Sequence, residues 1–396
     1  MKIAILTAGG IAPCLSASVG QLILNYTKHV PDAEIIGYLH GYKGLLLGNS
    51  IKITGEVREN AEVLNSFGGS PIGNSRVKLT NINDCIKKGY VKEKELPLEK
   101  AAKQLIKDEI TILHTIGGDD TNTMAAELSQ YLSGKCINLT VVGLPKTIDN
   151  DVYPITQTLG AWTAAEQGAV FFENIVNENT TSSRQLIIHE VMGRNCGWLT
   201  AATADNYRRK ISRKKFLDPI LVTKNRWDID AIYLPEMQID INSESERLKK
   251  IMDEKDSVNI FLSEGAGTES IIHELEKNGK KVEKDSFGHY RLDSINPGKW
   301  FGDQFAKMIN AEKVLVQKSG YFARSAPASS QDLDLIKNTA KLAANFGLAG
   351  KSGVVGMDES KDGKLGLIEF SRIKGGKPFD TSLDWFQCML REIGQV

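Results

Sequence analysis

The chain has 396 residues, and its 49 basic and 49 acidic side chains give a formal net charge of zero. Hydrophobic residues make up 41% and charged residues 25%, as in a globular protein with a sizeable core, and at about 150 residues per domain the length predicts two or three compact units. The charge balance argues against a nucleic-acid or membrane-surface partner held by bulk charge, but it leaves a local basic site for a small anion open.

The cysteines and the N-terminus bear on the cellular compartment. The five cysteines are scattered without a CxxC pair, so we expect neither a disulfide framework nor a structural zinc site, and a cytoplasmic setting is favoured. Residues 1–7 form a short apolar run that leads into glycines, which predicts a first strand rather than a signal peptide. No apolar stretch reaches the roughly 18 residues that a membrane helix needs.

Short apolar runs alternate with helix-length segments along the chain. Such a pattern predicts an α/β fold with mostly parallel sheets, in which ligands bind beyond the carboxyl ends of the strands. The predicted strands are residues 2–7, 34–39, 111–116, 140–144, 186–191 and 258–263. The predicted helices run from about 15 to 28, 122 to 132, 158 to 176 and 242 to 256.

Paired glycines follow the first of these strands, in the sequence TAGG at residues 7–10. Glycines at a strand-to-helix junction let backbone N–H groups approach a phosphate, and the positive end of the helix assists. Glycine is also the ordinary residue of a tight turn, so this motif alone does not decide between the two interpretations.

A second pair of glycines, Gly117-Gly118, precedes two adjacent acids, Asp119 and Asp120. A carboxylate at this position could hold a Mg²⁺ ion that bridges phosphate oxygens. The structural alternative makes Asp120 or its neighbour the N-cap of the helix predicted from Asn122. Because capping does not explain two adjacent acids, the sequence favours a phosphate and metal site.

The segment PKTIDND at residues 145–151 is the strongest single signal. It places a cation, a hydroxyl and two carboxylates at the end of a predicted strand. If the segment is extended, Asp149 and Asp151 share a face, so that one can take a proton from a sugar hydroxyl while the other orients it or a metal. Phosphoryl transfer depends on positioning and charge stabilisation, which makes Lys146 the expected companion.

Each of three further motifs, taken alone, fits either a binding role or an ordinary structural one. An arginine fork in MGR (192–194) suits a phosphate, and the carboxylate in SEG (263–265) suits sugar hydroxyls, but both residue types are common on ordinary surfaces. GYFARS (320–325) adds a tyrosine and an arginine. The sequence GLAGKS at 347–352 mimics a P-loop, but Asn345 stands where the first glycine is needed and a helical pattern precedes it.

Taken together and in order, these motifs resemble the phosphofructokinase family. The resemblance covers most of the chain, from Thr7 to about Pro327. Ordered co-occurrence of several motifs is far more specific than any one of them. The matching pieces are TAGG (7–10), GGSPIGNSR (68–76), GGDD (117–120), PKTIDND (145–151), MGRNCGW (192–198), SEGAG (263–267) and GYFARS (320–325).

The resemblance implies reversible, Mg²⁺-dependent phosphoryl transfer to the 1-hydroxyl of fructose 6-phosphate. Asp149 looks like the general base, and Asp119 looks like the Mg²⁺ residue. Gly10 and Arg76 resemble the contacts to the diphosphate donor. The implied catalytic residues are Lys146, Asp120, Thr147, Asp149, Asp151 and Arg194. The implied substrate-binding residues are Thr147, Ile148, Asp149, Met192, Gly193, Arg194, Glu264, Tyr321, Phe322, Ala323 and Arg324.

Two positions bear on the choice of phosphoryl donor. ATP-using members of the family typically have glycine at both, whereas this chain has Asp120 and Lys146, the pair typical of pyrophosphate users. Two like charges about 4 Å apart at an effective dielectric constant near 20 repel by roughly 4 kcal/mol, so Asp120 is expected to reject the α-phosphate of a nucleotide. Lys146 can stabilise the phosphate that leaves when pyrophosphate is the donor.

Some positions depart from the family pattern. Ile11 stands where an acidic residue is frequent, and Tyr321 stands where many ATP users have histidine. Arg184 lies one residue away from the expected spacing to MGR for an arginine that reaches a neighbouring subunit. Two alternatives stay open: another ketose phosphate acceptor such as sedoheptulose 7-phosphate, and a non-catalytic regulatory subunit, against which the intact acids and Arg194 speak.

The family resemblance also implies the architecture: two similar three-layer α/β/α domains with mostly parallel sheets and the active site in the cleft between them. Residues 1–160 and 323–375 would form the donor-phosphate domain. Residues 161–322 and 376–396 would form the fructose 6-phosphate domain, with an insertion around 207–256.

Two surface predictions and one assembly prediction complete the sequence-based picture. The basic stretch 207–215 is predicted to be a solvated loop or helix face, and residues 274–284 an exposed helix and turn. By resemblance, we expect a homodimer that acts on small molecules, with no nucleic-acid or membrane partner.

Overall fold

The computed structural model describes residues 1–277, 279, 282–283 and 295–396. The chain divides into two compact units: Met1–Thr163 with Arg324–Lys377, and Ala164–Ala323 with Pro378–Val396. Each unit is built on a mostly parallel sheet that helices cover, which confirms the predicted fold class. Within the described ranges, no helix combines the length and the apolar character needed to cross a membrane.

The described strands lie close to the predicted ones, with several more that the apolar runs did not reveal. They are β1 (Lys2–Thr7), β2 (Glu34–Tyr38), β3 (Ser50–Lys52), β4 (Ile112–Gly117), β5 (Thr140–Pro145), β6 (Gln185–Val191), β7 (Ala231–Tyr233), β8 (Ser257–Ser263), β9 (Lys313–Lys318), β10 (Gly353–Asp358) and β11 (Lys364–Ile368).

The described helices vary from one turn to five. They are α1 (Leu15–His29), α2 (Tyr42–Leu47), α3 (Gly55–Glu59), α4 (Ile82–Lys87), α5 (Pro97–Lys107), α6 (Asp119–Gly134), α7 (Ala161–Ile175), α8 (Trp198–Ile211), α9 (Lys224–Trp227), α10 (Ile241–Lys255), α11 (Thr268–Lys277), α12 (Pro297–Met308), α13 (Gly320–Ser325), α14 (Ser330–Leu348) and α15 (Asp384–Glu392). Short 3₁₀ turns occupy Ala61–Ser66, Val176–Thr180, Glu359–Lys361 and Phe370–Arg372. Of the exposed helix and turn predicted over 274–284, the part after α11 falls largely outside the described residues.

The sheet of the first unit has the strand order β11-β10-β5-β4-β1-β2-β3. Neighbours from β10 to β2 are parallel, and β11 and β3 are antiparallel edges. Side chains alternate between the two faces. In β4, Leu113 packs in the cluster beneath α5 and α6, whereas the next residue, His114, hydrogen-bonds the Tyr26 hydroxyl of α1 at 2.6 Å on the other face.

The second unit repeats this construction on a smaller sheet with the order β7-β8-β6-β9, all parallel. Ile187 of β6 packs with Phe172 of α7 on one face, and Ile188 packs with Phe301 of α12 on the other. A strand buried on both faces is mostly apolar, which is why the sequence shows runs rather than alternation.

Two helices begin at residues other than those predicted. Helix α6 begins at Asp119 and not at Asn122, because extended Gly118 is its N-cap and the acids of the first turn suit the positive helix end. Helix α7 begins at Ala161 and not at 158, because Gly160 has a φ of +92° and the buried Asp332 carboxylate accepts the N–H groups of Gly160 and Thr163.

The basic stretch Tyr207–Lys215 is only partly a solvated surface. Its first five residues form the end of α8, and Arg208 donates to Asp228 at 2.9 Å and to Glu392 at 2.5 Å. The region that follows contributes β7 to the sheet and α10 to one of the two cores of the unit.

A buried ion pair ties α10 to β7. The Lys255 ammonium lies 2.7 Å from the Asp230 carboxylate and also donates to the carbonyl of Asn225. Asp230 in turn accepts the N–H of Asn259 at 2.7 Å. Burial raises the pKa of Asp230, and the neighbouring Lys255 acts in the opposite direction.

Replacing Lys255 with methionine is expected to lower the free energy of unfolding by about 3–5 kcal/mol, because Asp230 is then buried without its cation. The double change Lys255→Met with Asp230→Asn should recover most of this loss, since the amide oxygen can still accept the Asn259 N–H. Urea unfolding followed by circular dichroism measures both. Lys299→Met, which removes only an exposed pair with Asp303, is the control; an equal loss there would contradict the prediction.

Candidate active site

The carboxyl ends of β1, β4 and β5 lie side by side because these strands are parallel neighbours. The three loops that follow them carry TAGG, GGDD and PKTIDND. Backbone hydrogen bonds join the loops: the Ala8 N–H donates to the Ile116 carbonyl at 3.0 Å, and the Lys146 N–H donates to the Gly117 carbonyl at 2.8 Å. The sheet therefore brings these three motifs together at one edge.

Lys146 is buried at this edge, with only 4% of its surface exposed. Its ammonium group donates to the Gly10 carbonyl at 2.6 Å, and a Cβ added to Gly9 would lie 3.2 Å from the same Nζ. Burial lowers the pKa of Lys146, while the charges of nearby Asp149 and Asp151 act to raise it. The Gly9-Gly10 loop thus packs against a lysine side chain that is almost completely shielded from solvent.

The segment that contains GGSPIGNSR runs beside the same glycine loop. The Ser75 carbonyl accepts the Gly9 N–H at 2.9 Å, and the Asn74 side-chain amide donates to the Gly9 carbonyl at 2.6 Å. The Arg76 guanidinium lies 3.7 Å from the position that a Cβ on Gly10 would occupy. Arg76 and Lys146 therefore flank the loop with two positive charges, an arrangement suited to a small anion.

The acids of GGDD are residues of the first helical turn and not caps. Neither makes a capping hydrogen bond, since the cap is Gly118, so the structural alternative for these acids is wrong. The Asp120 carboxylate is half exposed and pairs with Lys78 at 2.6 Å. This pairing corrects the charge argument for Asp120: an exposed and partly neutralised carboxylate repels an anion by much less than 4 kcal/mol.

The PKTIDND loop is bent rather than extended. Asn150 adopts a left-handed conformation with a φ of +55°, and its side-chain oxygen accepts the N–H and hydroxyl of Thr158. The condition under which Asp149 and Asp151 would share a face, an extended segment, is therefore not met. The Thr147 hydroxyl links them instead, because it accepts the Asp149 N–H and donates to Asp151 Oδ1, both at 3.1 Å.

Asp119 and Asp151 interact across the two loops. Burial, and after it the charge of Asp119, raises the pKa of Asp151, while the Thr147 hydroxyl acts to lower it. Two carboxylates placed so that the charge of Asp119 disfavours the ionisation of Asp151 are suited to a shared cation.

In the second unit, MGR follows β6 and SEG follows β8, which are parallel neighbours. The Gly193 N–H donates to Glu264 Oε1 at 3.3 Å, and the Ser263 hydroxyl donates to the Gly193 carbonyl at 2.6 Å. Gly193 has a φ of +132°, and a Cβ on Gly265 would overlap the Arg194 carbonyl. Burial raises the pKa of Glu264. The two loops are thus interlocked through positions that require glycine.

A groove of about 940 Å³ opens beside Arg194 and Gly265. The GYFARS helix, α13, starts near this loop, since a Cβ on Gly320 would lie 2.9 Å from the Met192 side chain. Tyr321 is 79% exposed, and the ring of Phe322 stands 5.7 Å from that of Phe171. The unit boundary follows Ala323, so that Arg324 belongs to the first unit. Ile148 is buried in the first unit.

Sequence reasoning missed Lys78 and left Arg184 undecided. Nothing in the residues around Lys78 signals that it pairs with an acid on another element. The Arg184 guanidinium donates to the carbonyls of Ile309 and Asn310 and pairs with Asp253.

Comparison with known proteins identifies the family of the chain. The phosphofructokinase family profile matches residues 2–332. The chain is 58% identical over 394 residues to the pyrophosphate--fructose 6-phosphate 1-phosphotransferase of Methylomonas methanica. The alignment covers 100% of this chain and 96% of that protein. It is 57% identical over 394 residues to the protein of the same name from Methylotuvimicrobium alcaliphilum, with the same coverage.

A solved structure supports the fold. The pyrophosphate-dependent phosphofructokinase from Marinobacter aquaeolei matches with a TM-score of 0.71 at 20% identity, over 99% of this chain and 91% of that chain. Given the extent of the family match and of the identity to its relatives, this chain belongs to the phosphofructokinase family.

Proposed function

We propose that this chain transfers a phosphoryl group reversibly from pyrophosphate to the 1-hydroxyl of fructose 6-phosphate, with Mg²⁺, and yields fructose 1,6-bisphosphate and phosphate. The observation that carries the proposal is the buried Lys146 ammonium against the Gly9-Gly10 loop, with Arg76 nearby and two carboxylates on the adjoining loops. The names of the relatives at 58% and 57% identity support the same reaction.

The carboxylates fit a Mg²⁺ ion that arrives with the donor. Within the described ranges, no group of three or more His, Cys, Asp and Glu side chains converges as a metal site. The protein would therefore supply Asp119 and Asp151, and phosphate oxygens and water the other ligands, as is usual for this ion. When bound, Mg²⁺ neutralises charge on the pyrophosphate.

In the proposed reaction, Asp149 accepts the proton of the acceptor's 1-hydroxyl. The hydroxyl oxygen forms a bond to the terminal phosphorus, and the bond from that phosphorus to the bridging oxygen breaks. Inorganic phosphate leaves next to Lys146 and Arg76, whose positive charges stabilise it. Thr147 holds the loop that carries the base through its two hydrogen bonds.

We assign the acceptor to the second unit and the donor to the first. Arg194, with Met192 and Gly193, would bind the sugar phosphate, and Glu264 would accept from sugar hydroxyls. The fixed loop contact between Gly193 and Glu264 supports this assignment. Ile148, Tyr321, Phe322, Ala323 and Arg324 would complete the substrate site. A cytoplasmic homodimer is the proposed setting.

The donor preference is proposed to rest on the pair of Asp120 with Lys78 and on Lys146. The paired Asp120 side chain fills space where glycine would leave room for a nucleotide's α-phosphate. Since Lys78 offsets much of the charge, we attribute the exclusion of ATP to the bulk of the pair more than to repulsion.

The test of the proposed function is formation of fructose 1,6-bisphosphate from fructose 6-phosphate and Mg²⁺, with pyrophosphate or ATP in parallel reactions. Turnover with pyrophosphate alone is expected. Turnover with ATP alone would contradict the donor assignment, and no turnover with either would contradict the proposed enzyme.

Asp149→Asn and Asp149→Ser should each lower kcat by about 10²–10⁴, because the general base is lost while the loop keeps its backbone contact to Thr147. Steady-state assays with saturating pyrophosphate measure the loss. Retained binding of pyrophosphate, followed by calorimetry, is the control for folding. A decrease of less than tenfold would assign proton transfer to Asp151 instead.

The double change Asp120→Gly with Lys146→Gly is expected to give measurable turnover with ATP and to weaken use of pyrophosphate. Asp120→Asn separates bulk from charge, since it keeps the size of the Asp120 side chain and removes its negative charge. If bulk excludes ATP, this single variant still rejects ATP. Undetectable ATP turnover in the double variant would show that the exclusion arises elsewhere.

A further inference from the structure

A segment beyond the range of the family match lies against the donor-site carboxylates. The match ends at residue 332, and the segment is Lys374–Lys377, with the sequence KGGK, hereafter the C-terminal strap. A Cβ added to Gly375 would overlap the carboxylate of Asp119 and would lie 2.6 Å from its Cγ. Two residues on, the Lys377 N–H donates to the backbone carbonyl of Asp151 at 2.9 Å. The strap therefore contacts both acids assigned to Mg²⁺.

Further hydrogen bonds hold the strap to the loop that follows PKTIDND and to Glu359 in the turn after β10. Lys374 and Tyr153 exchange two backbone hydrogen bonds, at 2.7 and 3.0 Å, as in an antiparallel bridge. The Lys377 ammonium donates to the Ile155 carbonyl at 3.3 Å and to Glu359 at 3.1 Å. The position of the strap is thus fixed relative to the loop of Asp151.

The start of the strap is anchored to the sheet as well. Arg372, two residues before it, donates from both terminal nitrogens to the buried Asp358 carboxylate at the end of β10, at 2.7 and 2.8 Å. This fork holds the pKa of Asp358 well below its usual range. A bidentate pair of this kind fixes orientation as well as distance.

Glycine at position 375 is explained by Asp119 and not by backbone conformation. Gly376 has a φ of +76°, which favours glycine whatever its surroundings. Gly375 has a φ outside the left-handed region, so the backbone there suits any residue. The close approach to Asp119 is the remaining reason for the missing side chain.

We propose that the C-terminal strap is a positioning element of the donor site. Gly375 lets the Asp119 carboxylate lie against the strap, and Lys377 holds the main chain of Asp151. The strap thereby sets the separation of the two carboxylates that receive magnesium pyrophosphate. This inference rests on the proposed function. Gly375 and Lys377 act through the aspartates and are positioning residues.

Gly375→Ala is the direct test. The added methyl group must displace the carboxylate or the strap by about 1 Å, a shift that can cost roughly 10²-fold in catalysis. We expect about a 10²-fold lower kcat/KM for pyrophosphate, a higher Mg²⁺ concentration at half-maximal rate, and an unchanged KM for fructose 6-phosphate. Calorimetry with Mg²⁺ and pyrophosphate, without acceptor, should show binding weakened at least tenfold.

Gly366→Ala is the matched control. Gly366 lies on β11 of the same unit, has a φ outside the left-handed region, and a Cβ there would meet nothing within 4 Å. It should bind and use pyrophosphate like the unmodified chain. If Gly375→Ala behaves like Gly366→Ala while the unmodified chain uses pyrophosphate, the strap proposal is overturned and the proposed function stands. If the unmodified chain neither binds nor uses pyrophosphate, both are overturned.

A measurement on the unmodified chain covers the case in which Gly375→Ala does not fold. Hydrogen exchange of the amides of residues 374–377 should slow when Mg²⁺ and pyrophosphate are added together, because the carboxylates that the strap contacts become fixed. Fructose 6-phosphate alone should leave the exchange unchanged. Equal exchange with and without magnesium pyrophosphate, at saturating concentrations, would overturn the proposal.

Discussion

The buried ammonium group of Lys146 constrains the carboxyl edge of the first sheet. An ammonium without water must be surrounded by acceptors or negative charge, because desolvation otherwise costs several kcal/mol. The Gly10 carbonyl meets this need directly, and the nearby acids Asp149 and Asp151 favour the charged form. The backbone N–H of Lys146 donates to the Gly117 carbonyl, so this lysine links the ends of three neighbouring strands.

The glycines around this lysine follow from the same constraint. The backbone must pass close to Nζ at Gly9, which also has a φ of +89°, a conformation that side chains disfavour. The loop is then held from the other side by the carbonyl of Ser75 and the amide of Asn74. Held from both sides, the loop is fixed in position, and the positive charges beside it do not have to be assembled when an anion binds.

The two units solve the problem of holding acids in place by different means. In the first unit, Asp119 begins a helix and Asp151 lies in a bent loop, and the charge of Asp119 contributes to the raised pKa of Asp151. In the second, Glu264 extends from a parallel strand and accepts a backbone N–H from Gly193. Burial raises the pKa of Glu264 and Asp151 alike, so their ionisation depends on what each site contains.

The sequence by itself determined the six strands that apolar runs mark, the order of the motifs and the family, because apolar runs, glycine pairs and charged loops are local patterns set by backbone geometry. It did not determine the left-handed Asn150, since that conformation depends on a side-chain bond to Thr158. Nor did it reveal that Lys78 faces Asp120, or that the strap at Gly375 touches Asp119. Those contacts join residues far apart along the chain, and only the packing of helices and loops at the edge of the sheet brings them together.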